Sequence, residues 1–132
     1  LYIDHGYHTT YARLTARRTD TVICAIHSCI PALRGRSPRP WHVGILHSHR
    51  DSRLAVPLIA RLRAEPDLTV GDNEPYSGHL DGDAIDRHAL GPGRPNVLIE
   101  LRHDLIATPP DRERWAARLA PILAETLAAS GL

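Results

Sequence analysis

The fold is decided by residues 96–106, which read NVLIELRHDLI. The run is almost continuously apolar, and charge enters only at Glu100 and Arg102 as the run ends. A strand that is apolar on both alternating faces is typical of a parallel sheet covered by helices on both sides. Ligands of such sheets bind beyond the carboxyl ends of the strands. The stretch therefore predicts a central strand with a polar site at its carboxyl end.

Glu100 and Arg102 are alternate residues of this strand, so both side chains should point to one face, opposite Ile99, Leu101 and His103. This arrangement places a carboxylate beside a guanidinium group. Two interpretations stay open at this point: an internal ion pair that stabilises the end of the strand, or part of a functional site.

The composition indicates the class of protein. A length of 132 residues suits one domain, at the lower end for a sheet covered on both faces. The chain starts at Leu1 and contains no Met, which indicates a fragment or a trimmed chain. The 16 basic residues are scattered among 15 acidic ones, and a net charge of +1 gives no electrostatic case for nucleic-acid binding.

Membrane insertion is not expected either. No apolar run approaches the roughly 20 residues of a membrane span, and no signal segment leads the chain. The sequence therefore predicts a soluble cytoplasmic protein that binds neither nucleic acid nor membrane.

Hydrophobic spacing predicts the remaining elements. Helices are expected at residues 7–18, 51–64, 83–90 and 108–131. Short strands are expected at residues 21–26, 43–46 and 68–70, and the first of these should be buried. Asp51 or Ser52 should cap the second helix, Pro57 should kink or delay it, and Pro121 should bend the last. Thr108 is a suitable cap for the last helix and Gly131 a suitable stop.

Two pairs of residues have side chains that can bind a metal or form a disulfide. Cys24 and Cys29 are too far apart for a redox pair or half of a zinc ribbon, so buried free thiols are expected. His47 and His49 would lie on one side of an extended segment, a geometry found in metal sites. Because no carboxylate or third His lies nearby in sequence, a solvated loop is the favoured interpretation.

Three polar clusters follow predicted strands, at residues 27–28, 72–76 and 100–104. They are expected to converge on one cleft. A neutral imidazole at a sheet edge can bind zinc, and a nearby unligated carboxylate can take a proton from metal-bound water. On spacing alone, the pairing of His27 with Glu100 and a chance coincidence both stay open.

Several segments carry a resemblance to a known family, and together they cover nearly the whole chain. They are Tyr7-His8, His27-Ser28, RPWHVG at 39–44, RLA at 53–55, GDNEPYSG at 71–78, Arg87-His88, IELR at 99–102 and DLI at 104–106. These segments resemble the carboxy-terminal half of the N-formylglutamate amidohydrolase family. That family is similar in fold to zinc carboxypeptidases and to the succinylglutamate desuccinylase and aspartoacylase enzymes.

The resemblance implies an α/β fold of three αβα layers with a mixed, mainly parallel sheet, zinc-peptidase-like (phosphorylase/hydrolase-like) and incomplete at its N-terminus. Residues 1–132 would form a single partial hydrolase domain. The implied activity is that of a metal-dependent amidohydrolase of histidine catabolism, which cleaves an N-acyl amino acid such as N-formyl-L-glutamate to formate and L-glutamate.

The resemblance also implies residue roles. His27 would be a ligand of Zn²⁺, and Glu100 would be the general base and then the general acid. Arg102 or Arg87 would pair with a substrate carboxylate, for which a planar guanidinium is suited. The other implied substrate-binding residues are Asn73, Tyr76 and His88.

The chain also departs from the family pattern. The family usually has an aromatic residue, Thr and Pro after its His-Ser step, where this chain has Cys29-Ile30-Pro31, and His103 stands where Gln is common. The family's other metal ligands precede the part matched by Leu1, so the zinc site is incomplete in this chain, because a catalytic site normally has three protein ligands. A truncated or degenerate non-catalytic relative that acts as a binding module is therefore the alternative.

Overall fold

The computed structural model describes the backbone of residues 3–132 and the side chains of residues 6–132. The main elements in chain order are α1 (Ile3–Thr15), β1 (Ile23–Cys29), β2 (Val43–Leu46), α2 (Ala55–Arg63), β3 (Val70–Asp72), β4 (Asn96–Arg102) and α3 (Pro109–Ser130). A π-helical turn at Asp86–Leu90 precedes β4, and a 3₁₀ turn at His103–Ile106 follows it. In the described part of the chain, no helix combines the length and apolarity needed to cross a membrane.

The four strands form one mixed sheet in the order β1-β4-β2-β3. β1 runs parallel to β4, β2 runs parallel to β3, and β2 runs antiparallel to β4. The predicted central strand is therefore β4, as the apolar run in its sequence indicates. However, β2 and β3 run in the opposite direction to β1 and β4, so their carboxyl ends lie at the other end of the strands. The expectation that all three polar clusters converge at one set of carboxyl ends is therefore wrong for Asp72.

Alternation along β4 divides the core between the two faces of the sheet. Val97, Ile99 and Leu101 are buried in the larger cluster, which contains residues of β2, α2 and α3. The partners contributed by those elements are Val43, Ile45, Leu54, Ala55, Leu58, Ile59, Leu62, Leu119 and Ile122. On the other face, Ile23 packs against Ile85, Ala89 and Leu90, with Tyr11 and Ala25 beside them. Helical segments thus lie on both faces of the sheet, and Glu100 points to the same face as Ala25.

The last helix follows its sequence signals closely. Thr108 and Asp111 form a capping box, and Gly131 ends the helix in the left-handed conformation at a φ of 69°. The helix continues through Pro121. Residues 108–131 could be assigned from sequence because these signals are local.

β1 differs most from its prediction. It begins at Ile23 and continues to Cys29, so His27 lies within the strand rather than after it. It is also an edge strand among the described residues, and Cys24 is exposed whereas Cys29 is buried. The prediction of a buried strand and of two buried thiols is therefore wrong for Cys24, because no described strand covers that side of β1.

Other boundaries moved by a few residues. α2 begins at Ala55 with Leu54 as its N-cap, which has no side-chain acceptor, so neither Asp51 nor Ser52 caps the helix; Asp51 accepts hydrogen bonds from Arg53. Pro57 falls in the first turn of α2, where a missing N–H removes no helical bond, so the helix is delayed rather than interrupted. The predicted helix at 83–90 is the shorter turn Asp86–Leu90, and α1 and β3 are shifted relative to their predicted positions.

Candidate active site

The register of β1 on β4 sets His27 directly beside Glu100. Their side chains share one face of the sheet, with His27 Nδ1 3.7 Å from Glu100 Oε1. The imidazole is 57% exposed and the carboxylate 8% exposed. The pair therefore presents a solvent-open imidazole next to a buried acid, so the expected convergence of these two residues is confirmed.

Glu100 has the electrostatics of a reactive carboxylate. Burial raises the pKa of Glu100, and the nearby charges of His27 and Arg39 oppose that rise only in part. Its Oε2 atom is buried and has no hydrogen-bond partner among the described residues. A carboxylate with a raised pKa and an unused oxygen can accept a proton and return it, as a general base and acid must.

Two glycines allow the loop after β3 to pack against the face that carries Glu100. Gly44 is the β2 partner of Glu100, and Gly71 is the β3 partner of Gly44. A Cβ atom on Gly44 would overlap the backbone carbonyl of Glu74, and one on Gly71 would lie 2.8 Å from the same oxygen. Glycine is therefore required at these positions for the loop to close over the sheet.

Arg39 is a buried cationic residue whose charge acts on Glu100. The sequence analysis did not select it as a site residue. Its guanidinium donates to the carbonyl of Ile30 at 3.1 Å and to the hydroxyl of Tyr76 at 2.9 Å, and it lies 4.9 Å from the centre of the Tyr76 ring. These contacts place Tyr76, a predicted pocket residue, beside the charge that acts on Glu100. The available signal was its position as the first residue of the RPWHVG segment.

Arg102 is the last residue of β4, and its side chain contacts Asp104 and Arg39. Its guanidinium donates to both oxygens of Asp104, at 2.8 and 3.2 Å, and to the carbonyl of Arg39 at 3.1 Å. The interpretation of Glu100 and Arg102 as an internal ion pair is therefore wrong, because the guanidinium is turned toward Asp104. Its described contacts hold the backbone of Arg39 in place.

Asn73 is the first residue of the loop that follows β3. It has a φ of 51°, and its side-chain oxygen accepts hydrogen bonds of 2.9 Å from the backbone N–H groups of His47 and Gly78. Left-handed backbone is more accessible to Asn than to most residues, and the two hydrogen bonds fix it there. Asn73 thus sets the path of the loop that delivers Tyr76.

Arg87 and His88 lie on the turn Asp86–Leu90, away from the ends of β1 and β4 along the chain. Arg87 is exposed. His88 is buried, its Nε2 lies 2.7 Å from Nδ1 of His8, and its ring stacks on Tyr11 at 4.5 Å. Burial lowers the pKa of His88, and the neighbouring His8 lowers it further. The described contacts of the His88 ring are therefore with α1, and its carbonyl accepts a hydrogen bond from Arg94.

The segment after β2 is solvated only in part, because His49 and Arg50 are exposed whereas Ser48 is buried. Ser48 is fully buried and its hydroxyl lies 2.7 Å from Nδ1 of His79, while Nε2 of His47 lies 2.9 Å from a carboxylate oxygen of Asp72. The carboxylate comes from a distant part of the sequence, which local spacing cannot reveal. The ring of His49 packs on that of His79. Even so, no group of three or more His, Cys, Asp and Glu side chains in the described residues is arranged to hold a metal ion.

The chain matches a protein family and a solved structure. The sequence model of the family described as N-formylglutamate amidohydrolase matches residues 5–107, which include every candidate site residue. The chain is similar to the crystal structure of a gene product from Agrobacterium tumefaciens, with 34% sequence identity and a TM-score of 0.86. That match covers 96% of this chain and 51% of the other, so this chain spans about half the length of the Agrobacterium protein. No curated protein matches significantly.

Proposed function

The chain belongs to the N-formylglutamate amidohydrolase family, and from this premise we propose that it carries the general base and one metal ligand of an N-acyl amino acid amidohydrolase. The proposed substrate is N-formyl-L-glutamate, and the products are formate and L-glutamate. The proposal extends the amidohydrolase-like function of the family to a particular substrate and a particular set of residues.

One observation carries the proposal: the unpartnered, buried oxygen of Glu100 beside the solvent-open ring of His27. Glu100 would take a proton from the attacking water as the new C–O bond forms at the formyl carbon. It would then give that proton to the amine nitrogen as the C–N bond breaks. Its raised pKa suits both steps, because the carboxyl group must hold the proton between them.

The residues present fit part of a zinc site. The exposed imidazole of His27 is a suitable ligand, and Zn²⁺, when bound, would polarise the scissile carbonyl as a Lewis acid. A catalytic zinc site uses three protein ligands, and the described residues offer His27 alone at this position. We therefore place the remaining ligands on polypeptide other than the described residues, within a zinc-peptidase-like fold.

Two cationic side chains near Glu100, those of Arg39 and Arg102, would assist the reaction. Arg39 lies close enough for its charge to act on Glu100, and Tyr76 orients its guanidinium. Arg102 remains a candidate partner for a substrate carboxylate, although that carboxylate would have to compete with Asp104. A bidentate Arg–carboxylate pair is specific in geometry, so the exchange of one carboxylate for another is feasible.

Release of formate from N-formyl-L-glutamate tests the proposal. The assay uses the protein that carries this chain together with its remaining zinc ligands, with zinc added or removed by a chelator. We expect turnover with zinc, loss of turnover with chelator, and loss of both turnover and bound zinc in His27→Ala. Turnover that persists without metal would contradict the proposed role of His27.

A non-catalytic binding module is the second candidate, and one observation favours it. The described residues contain no arrangement of three metal-ligating side chains. In that case, calorimetry would detect binding of N-formyl-L-glutamate while no formate is released under any metal condition. We also propose that the protein is cytoplasmic, as its sequence predicts.

A further inference from the structure

A cavity opens beside the candidate active site, between α1 and the face of the sheet that carries His27 and Glu100. Its volume is about 560 Å³, which is within the range of small-molecule sites. His27 is one of its lining residues. Besides His27, the lining includes Tyr7, Tyr11, Leu80, Ala84, Ile85 and Leu98. An amide held at His27 therefore has one of its ends at this cavity.

Alternate residues of β4 set the order of the parts of the site. Leu98 lines the cavity, Glu100 is the proposed base, and Arg102 is the proposed partner of a substrate carboxylate. Alternate residues of a strand share a face and are roughly 7 Å apart, so the cavity and Arg102 lie on opposite sides of Glu100. A substrate whose carboxylate reaches Arg102 and whose amide lies at Glu100 thus directs its acyl group toward the cavity.

The lining of the cavity suits an apolar group and not an anionic one. Tyr7 and Tyr11 form an aromatic wall, with their ring centroids 5.7 Å apart, and the side chain of Leu80 is 64% exposed. In the described part of the chain, no Arg lines the cavity, whereas the acidic Asp83 does. A second carboxylate in the cavity would lack a cationic partner and would be repelled by Asp83. The part of the substrate that enters the cavity is therefore uncharged.

The cavity is also much larger than a formyl group. A formyl group is about the size of a water molecule, whose share of liquid volume is about 30 Å³. With formyl alone at His27, most of the cavity would hold water against side chains that offer it few hydrogen bonds. A larger apolar acyl group would displace this water and remove the same apolar surface from it.

We propose that this cavity binds the acyl group of the substrate, and that the protein hydrolyses N-acyl amino acids whose acyl group is apolar and larger than formyl. The inference rests on the proposed function, because it extends the same reaction to larger acyl groups. Water adds to the acyl carbonyl carbon, the C–N bond breaks, and the proton taken from water passes to the amine. The products are the acid of the acyl group and the free amino acid. Leu80 is assigned as a specificity-determining residue, since it lines the cavity with an exposed side chain.

Three substrates that share L-glutamate and differ in the acyl group test the inference. They are the N-formyl, N-phenylacetyl and N-succinyl compounds, and release of free glutamate by the zinc-loaded protein that carries this chain is measured. The KM for N-phenylacetyl-L-glutamate should be at least roughly tenfold below that for N-formyl-L-glutamate, because the phenyl ring leaves water. The anionic N-succinyl compound should have a KM at least roughly tenfold above that of the N-phenylacetyl compound, because it meets Asp83 without a cation.

Leu80→Arg tests the assignment of the cavity directly, because it supplies the cation that the lining lacks. The ratio of kcat/KM for the N-phenylacetyl compound to kcat/KM for the N-succinyl compound should fall at least roughly tenfold in this variant. Val56→Arg is the matched control, since Val56 lies on α2 and is 57% exposed, and it should leave the ratio unchanged. Circular dichroism checks the folding of both variants.

The outcomes separate this inference from the proposed function. Hydrolysis of the N-formyl compound alone, or a parental KM for the N-phenylacetyl compound at or above that for the N-formyl compound, would overturn the inference and leave the proposed function standing. The same holds if a folded Leu80→Arg protein keeps the parental ratio. Glutamate release from none of the three substrates would overturn both. The comparison of parental KM values needs no variant, so it decides the inference even if Leu80→Arg does not fold.

Discussion

Glu100 is a buried carboxylate with an unused oxygen, and such a group destabilises the folded state unless it is neutralised. The nearby Arg39 and His27 offset the burial only in part, so the pKa of Glu100 remains raised. A residue that is unfavourable for stability at neutral pH has a functional explanation more readily than a structural one. The single atom Oε2 of Glu100 therefore distinguishes a site from an ordinary strand end.

The raised pKa of Glu100 predicts a pH dependence of stability. Between its unfolded value of about 4.5 and its higher folded pKa, the folded state binds more protons than the unfolded state, so Glu100 lowers stability as the pH rises through that window. Glu100→Gln removes this dependence. The variant should therefore gain stability relative to the parent between about pH 4 and about pH 7. Urea unfolding at the two pH values measures the difference.

Glu113→Gln is the matched control, because Glu113 is an exposed carboxylate on α3. An equal change of stability in the two variants at both pH values would show that burial of Glu100 does not act on its ionisation.

At the scale of elements, the loop between β3 and the turn Asp86–Leu90 closes on the sheet because Gly44 and Gly71 have no side chains, and Gly44 is the more crowded of the two. Gly44→Ala should destabilise the protein by about 1–3 kcal/mol, the range typical of overpacking, because the new Cβ would overlap the backbone of Glu74. Urea unfolding of the variant measures this loss.

Gly6→Ala is the control for the glycine substitution. Gly6 lies in α1 with open space around it, so alanine there should be neutral or stabilise by about 0.5–1 kcal/mol. A Gly44→Ala protein as stable as its parent would mean that the loop is not held against β2.

The elements also show what could be predicted from the sequence. β4 and α3 were assigned correctly because an apolar run and a capping box are local signals. The exposure of β1 was not predictable, because it depends on which strands lie beside it. The bond between Arg39 and Tyr76 joins residues 37 positions apart, and that between His47 and Asp72 joins residues 25 apart. Contacts of this kind are set by tertiary packing, so the predicted site contained His27, Glu100 and Tyr76 but missed Arg39.

At the scale of the whole molecule, the proposed catalytic pair lies where the interior of the sheet meets its edge. Glu100 is on the interior strand β4, whereas His27 is on the edge strand β1, and its imidazole opens to solvent there. The proposed base is thus shielded from solvent, whereas the proposed metal ligand is accessible to it.

The measurement that tests the central claim most directly is the activity of Glu100→Gln in the zinc-loaded protein, with N-formyl-L-glutamate as the proposed substrate. The substitution keeps the size of the side chain but removes its proton-accepting group. The rate of formate release should fall by roughly 10²–10⁴-fold, the range typical of lost general acid–base catalysis, with zinc content unchanged. Formate release at the parental rate by Glu100→Gln would contradict the assignment of Glu100 as the base.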